Sequence, residues 1–151
     1  MPVKFQQEFI CQIDKEEAEK LLKIDWDEMA TKARGEEFEI NWQGYEALEE
    51  LGMLKVFSCR DDGNLIGYFS VVVTKSMTSK NTINAVSEAF YLHPDYRKGM
   101  TGVKLFKFVE KCLKEDGYDN FVVTSTEHYP LDKFLTRLGF EKAETLYHKE
   151  L

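Results

Sequence analysis

The chain has 151 residues, of which 43% are apolar, and this composition is typical of one globular domain over residues 1–151. Its formal net charge of −7 disfavours broad contact with nucleic-acid phosphates. No apolar run approaches the roughly 20 residues that a membrane-spanning helix needs.

Three elements are predicted before residue 52. Residues 5–10 read as a short strand, and residues 15–33 as a helix that Asp14 begins, with Glu17 three residues later as in a capping box. A second helix covers residues 42–51 and ends at Gly52. The first helix carries one apolar stripe, formed by Ala18, Leu21, Leu22, Met29 and Ala33.

A hairpin and a long strand follow. Residues 54–60 and 65–73 are rich in β-formers and are separated by Asp61-Asp62-Gly63-Asn64, a strong turn signal. Residues 83–93 form the next strand, which Pro94 ends. An amphipathic helix over residues 103–115 comes next, with Leu105, Phe108, Val109 and Cys112 inward.

The last part predicts a fully buried strand at residues 121–124, a helix at 131–138 and a closing strand at 141–148. The resulting order β-α-α-β-β-β-α-β-α-β combines an antiparallel meander with one βαβ unit. It predicts an α/β (α+β) fold with a mixed sheet.

The turn before the third helix is the main functional signal. Gly99 and Gly102 lack Cβ, so an anion could approach the unpaired amides at the helix N-terminus. Arg97 and Lys98 add positive charge, and Thr101 adds a hydroxyl. This arrangement suits a pyrophosphate, although a plain turn with solvated cations would have the same sequence. Neither a Walker-type motif nor G-x-G-x-x-G is present, which disfavours a nucleoside triphosphate.

These residues resemble those of a known family, the GNAT N-acetyltransferases. The family pattern is an apolar strand ending in proline, followed by [Q/R]-x-x-G-x-[G/A]; here residues 90–94 read FYLHP and residues 97–102 read RKGMTG. The "lGF" of residues 138–140 and the YHK of residues 147–149 also fit. The resemblance is best from Leu54 onward and looks closest to phage and prophage proteins. Met100 departs from the pattern, because the middle glycine falls one place earlier.

The resemblance implies a fold, a co-substrate and a set of contacts. The fold is a mostly antiparallel twisted sheet of about six or seven strands with a splayed strand pair, flanked by about four helices. The turn, including Val103, would hold the pyrophosphate of acetyl-CoA. Phe90, Tyr91 and Leu92 would pair with the pantetheine arm, and the Leu92 N–H would stabilise the developing oxyanion.

Acetyl transfer to an amine needs a base and an acid. Glu88 lies four residues before Leu92, so on a regular strand the two share a face, and burial would make Glu88 a useful base. The alternative is an exposed glutamate paired with a lysine. The tyrosine that relatives commonly use as the acid is absent, because its place is Leu135. Tyr129 and His128 are substitutes, unless they only pack near the helix; solvent could also supply the proton.

The resemblance implies that the first two helices and the loop between them wall the acceptor side, and this segment is acidic. Residues 14–50 contain thirteen acids and five bases, a net of −8. The excess could be a solvated helix face, or it could attract a polyamine, an aminoglycoside, a lysine side chain or a peptide amine. The predicted rim comprises Glu36, Glu37 and Glu39 beside Phe38 and Trp42.

Together these features predict a cytoplasmic N-acetyltransferase without a metal. Three cysteines in apolar surroundings, Cys11, Cys59 and Cys112, suggest buried reduced thiols, and residues 1–5 lack a signal-peptide core. The alternative function is a catalytically weak CoA-binding module that acts through a partner protein. A homodimer through the C-terminal segment is compatible with Leu146 and Tyr147.

Overall fold

The computed structural model describes residues 2–29 and 35–151. Its regular elements in chain order are β1 Val3–Glu8, α1 Lys15–Met29, α2 Trp42–Glu50, β2 Leu54–Asp61, β3 Asn64–Lys75, β4 Ile83–Leu92, α3 Thr101–Glu115, β5 Asn120–Val122 and α4 Asp132–Arg137. Short 3₁₀ turns cover Ile10–Gln12 and Pro94–Tyr96. The predicted position Ala33 of the first helix lies outside the described residues.

The five strands form one mixed sheet in the order β1-β2-β3-β4-β5. The first four strands are antiparallel neighbours, and β5 is parallel to β4 because α3 connects them. Asp62 with φ 50° and Gly63 with φ +81° form the two-residue turn between β2 and β3. Two residues with positive φ are typical of the turn that matches strand twist, so the predicted hairpin is confirmed.

The two faces of the sheet carry different helices. Phe69 is fully buried on the α3 face, where its ring stacks on Phe90 and meets Phe106 edge-on, both at 5.0 Å between centroids. Tyr68, its neighbour in sequence, points to the other face and packs with Leu21 of α1. The buried side chains of α3 are Leu105, Phe106, Val109 and Leu113, so the predicted inward positions Phe108 and Cys112 lie at the flank of its apolar stripe.

The start of α1 differs from a reciprocal capping box. Asp14 accepts hydrogen bonds from the amides of Glu16 and Glu17 at 3.0 and 3.2 Å, as predicted for an N-cap. The Glu17 carboxylate turns outward from the cap, and its oxygens accept from Arg60 at 3.0 Å and from the Leu65 amide at 3.1 Å. Glu17 therefore fastens α1 to the β2–β3 hairpin.

The predicted count of six or seven strands is wrong for the described residues, which contain five. Residues 141–151 have no regular secondary structure and are exposed, including Leu146 and Tyr147 at 85% and 89%. A strand pattern forms a strand only where a neighbour supplies hydrogen bonds, and the adjacent β5 is three residues long. As an edge strand, β5 is also less buried than predicted, with Val122 44% exposed.

Two further observations concern the cysteines and the helices. Cys59 is buried and Cys112 half-buried, but Cys11 is exposed, because it lies in the 3₁₀ turn after β1. Within residues 2–29 and 35–151, no helix is both long and apolar enough to cross a membrane.

Candidate active site

The turn between β4 and α3 presents a row of unpaired backbone amides. Met100 precedes the first turn of α3 and offers no side-chain cap. Within the described ranges, no acceptor contacts the amides of residues 98–103, and the Lys104 amide is the first that pairs, with Met100 at 2.9 Å. Unpaired donors and the positive end of the helix dipole together favour an anion here.

The left-handed residue in this turn is Gly99, with φ +96°. Side chains disfavour that region, so a glycine is needed at this position. Met100, which stands where the related motif has its middle glycine, has φ −102°, an ordinary value. A Cβ on Gly102 would meet only Phe134 and Leu92, at 3.8 and 3.9 Å, so the protein interior does not require glycine there. The glycine that falls one place earlier than in the related motif is therefore the residue that adopts the left-handed conformation.

The two cations and two remaining residues of the turn have different surroundings. Lys98 is exposed and makes no ion pair with any described residue. Thr101 and Val103 are half-buried in the first turn of α3. Arg97, by contrast, makes several contacts with the protein, which are described below.

Strands β4 and β5 separate after three residue pairs. The last pair is Val86 with Val122. Beyond it, the Ser87 hydroxyl accepts the Thr124 amide at 3.1 Å, and β4 continues to Leu92 with its β5 side open. The separation leaves a slot beside the second half of β4.

Backbone amides of β4 face this slot. The His93 amide donates to Ile66 of β3 at 2.8 Å. Because amides alternate sides along a strand, those of Leu92 and Phe90 point away from β3 and into the slot. The Tyr91 amide faces β3, so of the three predicted pantetheine contacts only Phe90 and Leu92 offer free N–H groups.

Glu88 occupies a β-bulge that turns its side chain toward the helices α1 and α2. Ser87 and Ala89 pair with consecutive residues of β3, so Glu88 is the extra residue. The Tyr45 hydroxyl of α2 interacts with its carboxyl, whereas Leu92 packs on the α3 face. The expectation that Glu88 and Leu92 share a face is therefore wrong, because the bulge interrupts the alternation.

The surroundings of Glu88 raise the pKa of its carboxyl above the ordinary value. Its side chain reaches solvent, but neighbouring groups desolvate the carboxyl, and this is the largest cause; the negative charge of Asp25 adds to it. The interaction with the Tyr45 hydroxyl lowers this pKa and so acts in the opposite direction. A raised pKa makes the carboxylate a stronger base.

Helix α1 adds two carboxylates to the same face. Asp25 accepts a hydrogen bond from the Tyr68 hydroxyl, and Glu28 accepts one from the Tyr91 hydroxyl. Tyr68 and Tyr91 are paired across β3 and β4, with ring centroids 6.2 Å apart. Burial, with the adjacent carboxylate, raises the pKa of both hydroxyls, so both stay protonated as donors.

Asp25, Glu28 and Tyr68 were not predicted as site residues, and Tyr91 was predicted only as a main-chain contact of the pantetheine arm, although α1 carried a signal. Asp25 and Glu28 follow the buried Leu21 by four and seven residues, which puts them on the inner stripe of the helix. Carboxylates on an inner stripe require polar partners.

Arg97 joins the phosphate-type turn to this face. Its Nε–H donates to the Leu92 carbonyl at 2.7 Å, and its Nη2 contacts both Glu28 carboxylate oxygens at 3.0 and 3.1 Å. The guanidinium lies over the rings of Tyr91 and Tyr129, 5.0 and 5.6 Å from their centroids. These contacts use Nε and Nη2, so we assign Arg97 to positioning of the β4 end. Its contact with a diphosphate stays a prediction.

The predicted acid candidates lie beside Arg97. The His128 Nε2 is 3.2 Å from the Glu28 carbonyl oxygen, and the Tyr129 amide donates to Thr126. Tyr129 is 52% exposed, and its ring is near Arg97. Leu135, the usual tyrosine position, is buried in the core and has no access to this face.

Lys98 and Arg97 were both predicted to contact the diphosphate, but their surroundings in the structure indicate different roles. We expect Lys98→Gln to weaken CoA binding by about 1.4- to 5-fold, corresponding to about 0.2–1 kcal/mol for an exposed ion pair, with a smaller effect at high salt. Arg97→Gln should instead lower the melting temperature and turnover, because Glu28 and the Leu92 carbonyl lose a donor. Calorimetry with CoA and thermal melts on both variants compare the two. A larger loss of CoA affinity in Arg97→Gln than in Lys98→Gln would contradict this assignment.

Of the residues predicted to form the acceptor rim, the aromatic ones pack or bond with α1 and the glutamates do not. Phe38 packs against Trp26 of α1, with ring centroids 5.7 Å apart. The Trp42 indole donates to Glu19 at 2.7 Å. Glu36 and Glu37 are exposed, and neither makes a hydrogen bond or ion pair with another described residue.

Several of the acidic side chains in residues 14–50 already accept hydrogen bonds from other parts of the protein. Glu17, Asp25 and Glu28 serve the contacts described above, and Glu49 accepts the Ile10 amide at 3.0 Å. Among residues 2–29 and 35–151 there is no group of three or more His, Cys, Asp or Glu that could hold a metal ion.

Comparison with known proteins gives a family and a fold. Residues 16–140 match the family described as Acetyltransferase (GNAT). A segment of 79 residues is 30% identical to a Plasmodium falciparum protein provisionally named a phosphatidylethanolamine-binding protein, covering 52% of this chain. The match spans only 40% of the length of that protein.

Solved structures similar to this chain include two acetyltransferases. A ribosomal-protein-alanine N-acetyltransferase from Brucella melitensis biovar Abortus superposes over 100% of both chains with a TM-score of 0.75 and 16% identity. An aminoglycoside N-acetyltransferase in complex with CoA superposes over 98% of this chain and 100% of its own, with a TM-score of 0.68 and 17% identity. Both likenesses concern the fold.

Proposed function

The chain belongs to the GNAT acetyltransferase family, and from this membership we propose that it transfers an acetyl group from acetyl-CoA to a primary amine. One observation carries the proposal: unpaired amides at residues 98–103 adjoin the open edge of β4, with Glu88 on the same strand. The similarity to a CoA-bound acetyltransferase supports the co-substrate. The similarity to N-acetyltransferases supports an amine as acceptor.

The chain's residues fit acetyl-CoA, which when bound supplies an activated acetyl thioester. The amides of residues 98–103 would hold the diphosphate, assisted by Lys98 and by the Thr101 hydroxyl. The free N–H groups of Phe90 and Leu92 would bind the pantetheine arm and the thioester carbonyl oxygen. Arg97 fixes the Leu92 peptide from its carbonyl side at 2.7 Å.

Glu88 would perform the first proton transfer. An acceptor arrives as an ammonium ion, and its nitrogen can attack only after it has lost one proton. Glu88 accepts that proton directly or through a water, and the amine nitrogen then replaces the sulfur on the acetyl carbon. The thiolate that leaves needs a proton, and the nitrogen releases its second proton as the amide forms. Tyr129 or His128, which lie beside Arg97 and Glu28, would protonate the thiolate.

The acceptor enters from the side of α1 and α2, where Glu88 and Asp25 lie. Glu36 and Glu37, with Phe38 and Trp42, would form the outer rim and attract a cation. This surface suits an amine on a small molecule or a peptide. The likeness to phage proteins, the cytoplasmic location and the homodimer stay predictions.

Two measurements test the proposal. Acetyl-CoA at 100 times its Kd should stabilise the full chain by about 2.7 kcal/mol, seen as a rise in melting temperature. Thiol release from acetyl-CoA should then accelerate with at least one amine of a panel of alkylamines, polyamines, aminoglycosides and peptides. Stabilisation without thiol release would favour the alternative function, a CoA-binding module that acts through a partner. The absence of both stabilisation and thiol release would refute both functions.

A further inference from the structure

A cavity of about 60 Å³ lies between the sheet and the helices α1 and α2. Its wall is mainly hydrocarbon, from Ile10, Ala18, Leu22, Trp42 and Val56. One water needs about 10–15 Å³ of such a cavity. If each non-hydrogen atom of a ligand takes about the same space, the cavity accommodates roughly four to six of them. The contacts described for acetyl-CoA do not involve it, because they lie at the slot beside β4 and at the turn before α3.

One end of the cavity adjoins the proposed base. Tyr45, Tyr68 and Ala89 line it. The Tyr45 hydroxyl interacts with the Glu88 carboxyl, Ala89 follows Glu88 in the bulge, and Tyr68 donates to Asp25. An ammonium group beside Glu88 would therefore have two carboxylates next to it and an apolar space behind it.

The other end contains charged groups that already have partners. Both Glu8 oxygens accept from Arg60, at 2.9 and 3.0 Å. Arg60 also donates to Glu17, whose second oxygen accepts the Leu65 amide at 3.1 Å. Each carboxylate oxygen of this cluster thus has a donor, so a second ammonium would have to displace one of them.

We propose that this cavity binds the hydrocarbon part of the acceptor, which makes the acceptor class a primary amine with a compact apolar group of about three to five carbons. This inference rests on the proposed acetyl transfer, because Glu88 serves both. The ammonium faces Glu88 and Asp25, and the apolar group lies against Ala18, Leu22 and Val56. Each methylene that enters should lower KM about fourfold, the effect of burying one CH₂ group. Polyamines and aminoglycosides gain nothing from such a cavity.

The matched ligands are n-pentylamine and 1,4-diaminobutane, which have similar length and differ at the far end, methyl or ammonium. Binding is measured by calorimetry on the full chain, with and without CoA, and turnover is measured by thiol release from acetyl-CoA. We expect n-pentylamine to bind at least about tenfold more tightly than the diamine and to have the higher kcat/KM. Along the series from methylamine to hexylamine, kcat/KM should rise and then level off.

Two variants change the cavity and one controls for the change. Ala18→Val adds two carbons to its wall and should shorten the preferred chain by about two carbons. Leu22→Ala enlarges the cavity and should lengthen the preferred chain. Ala47→Val makes the same replacement at an exposed position of α2 outside the cavity and should leave the preference unchanged. A shift in preferred length is readable even where a variant is less stable.

The outcomes separate this inference from the proposed function. Acetylation of the diamine as efficient as that of n-pentylamine, or a chain-length preference unchanged in Ala18→Val, overturns the cavity assignment and leaves acetyl transfer intact. Tight binding of n-pentylamine without thiol release from any amine overturns acetyl transfer and supports the cavity. Absence of amine binding overturns the assignment.

Discussion

Glu88→Gln is expected to lower kcat for amine acetylation by about 10²–10⁴-fold at pH 7, the contribution typical of a general base. Glutamine keeps the shape and can still interact with the Tyr45 hydroxyl, but it cannot take a proton from the ammonium group. CoA affinity should not change, because the amides of residues 98–103 and of Leu92 are unaffected. Steady-state thiol release and calorimetry with CoA measure the two quantities.

Glu88→Gln should also change how the acetylation rate depends on pH. Desolvation by neighbouring groups and the negative charge of Asp25 raise the pKa of Glu88, so the wild-type rate should increase with pH through a step above the ordinary range of a glutamate, and Glu88→Gln should lack that step. Glu50→Gln, at an exposed position of α2, removes one charge elsewhere and should retain it. Equal turnover in Glu88→Gln and wild type would remove Glu88 from the mechanism.

Glu88→Gln should lower the rate but raise the stability of the protein at pH 7. A carboxyl whose pKa is raised by folding stabilises the protein fully below its unfolded pKa, and this stabilisation is lost as pH rises through the folded pKa. Glutamine never ionises, so Glu88→Gln should melt at a higher temperature than wild type at pH 7. The difference should shrink toward pH 4. Melting curves across this range test the sign.

Met100→Asp is expected to weaken CoA binding by about tenfold to several-hundredfold, because a carboxylate would sit against the amides that hold the diphosphate. Met100 is 57% exposed and has no capping role, so the replacement should not disturb packing. In the free protein, the charge at the helix N-terminus should be neutral or stabilising by about 0.3–1 kcal/mol. Loss of ligand affinity without loss of stability is the expected pair of results.

The control for this variant is Met77→Asp. Met77 is 97% exposed in the loop between β3 and β4, so it introduces the same charge away from α3. Calorimetry at low and high salt should show the Met100→Asp effect shrinking as salt screens the repulsion. Wild-type CoA affinity in Met100→Asp would refute the assignment of residues 98–103 to the diphosphate.

The sequence by itself determined the elements whose signals are local. Asp62 and Gly63 fix the hairpin turn, Asp14 caps α1, and Gly52 follows α2, each through contacts within a few residues. The turn before α3 was predictable for the same reason, because free amides are a property of any helix start. These features depend on backbone conformation and near neighbours only.

The tertiary structure decided what depends on distant partners. The closing strand failed to form because a strand requires a neighbour, and β5 provides too short an edge. The bulge at Glu88 exists only in the pairing with β3, yet one extra residue moves that side chain to the other face of the sheet.

The contacts between side chains of the site also could not be predicted from the sequence. Glu28 meets Tyr91 and Arg97 across 63 and 69 residues of sequence, and His128 across 100. Residue types and local periodicity determine which elements form and where a helix exposes its amides. Which charges neutralise one another, and which remain available to a ligand, follows only from how the sheet and helices pack, because those contacts join segments far apart in the chain.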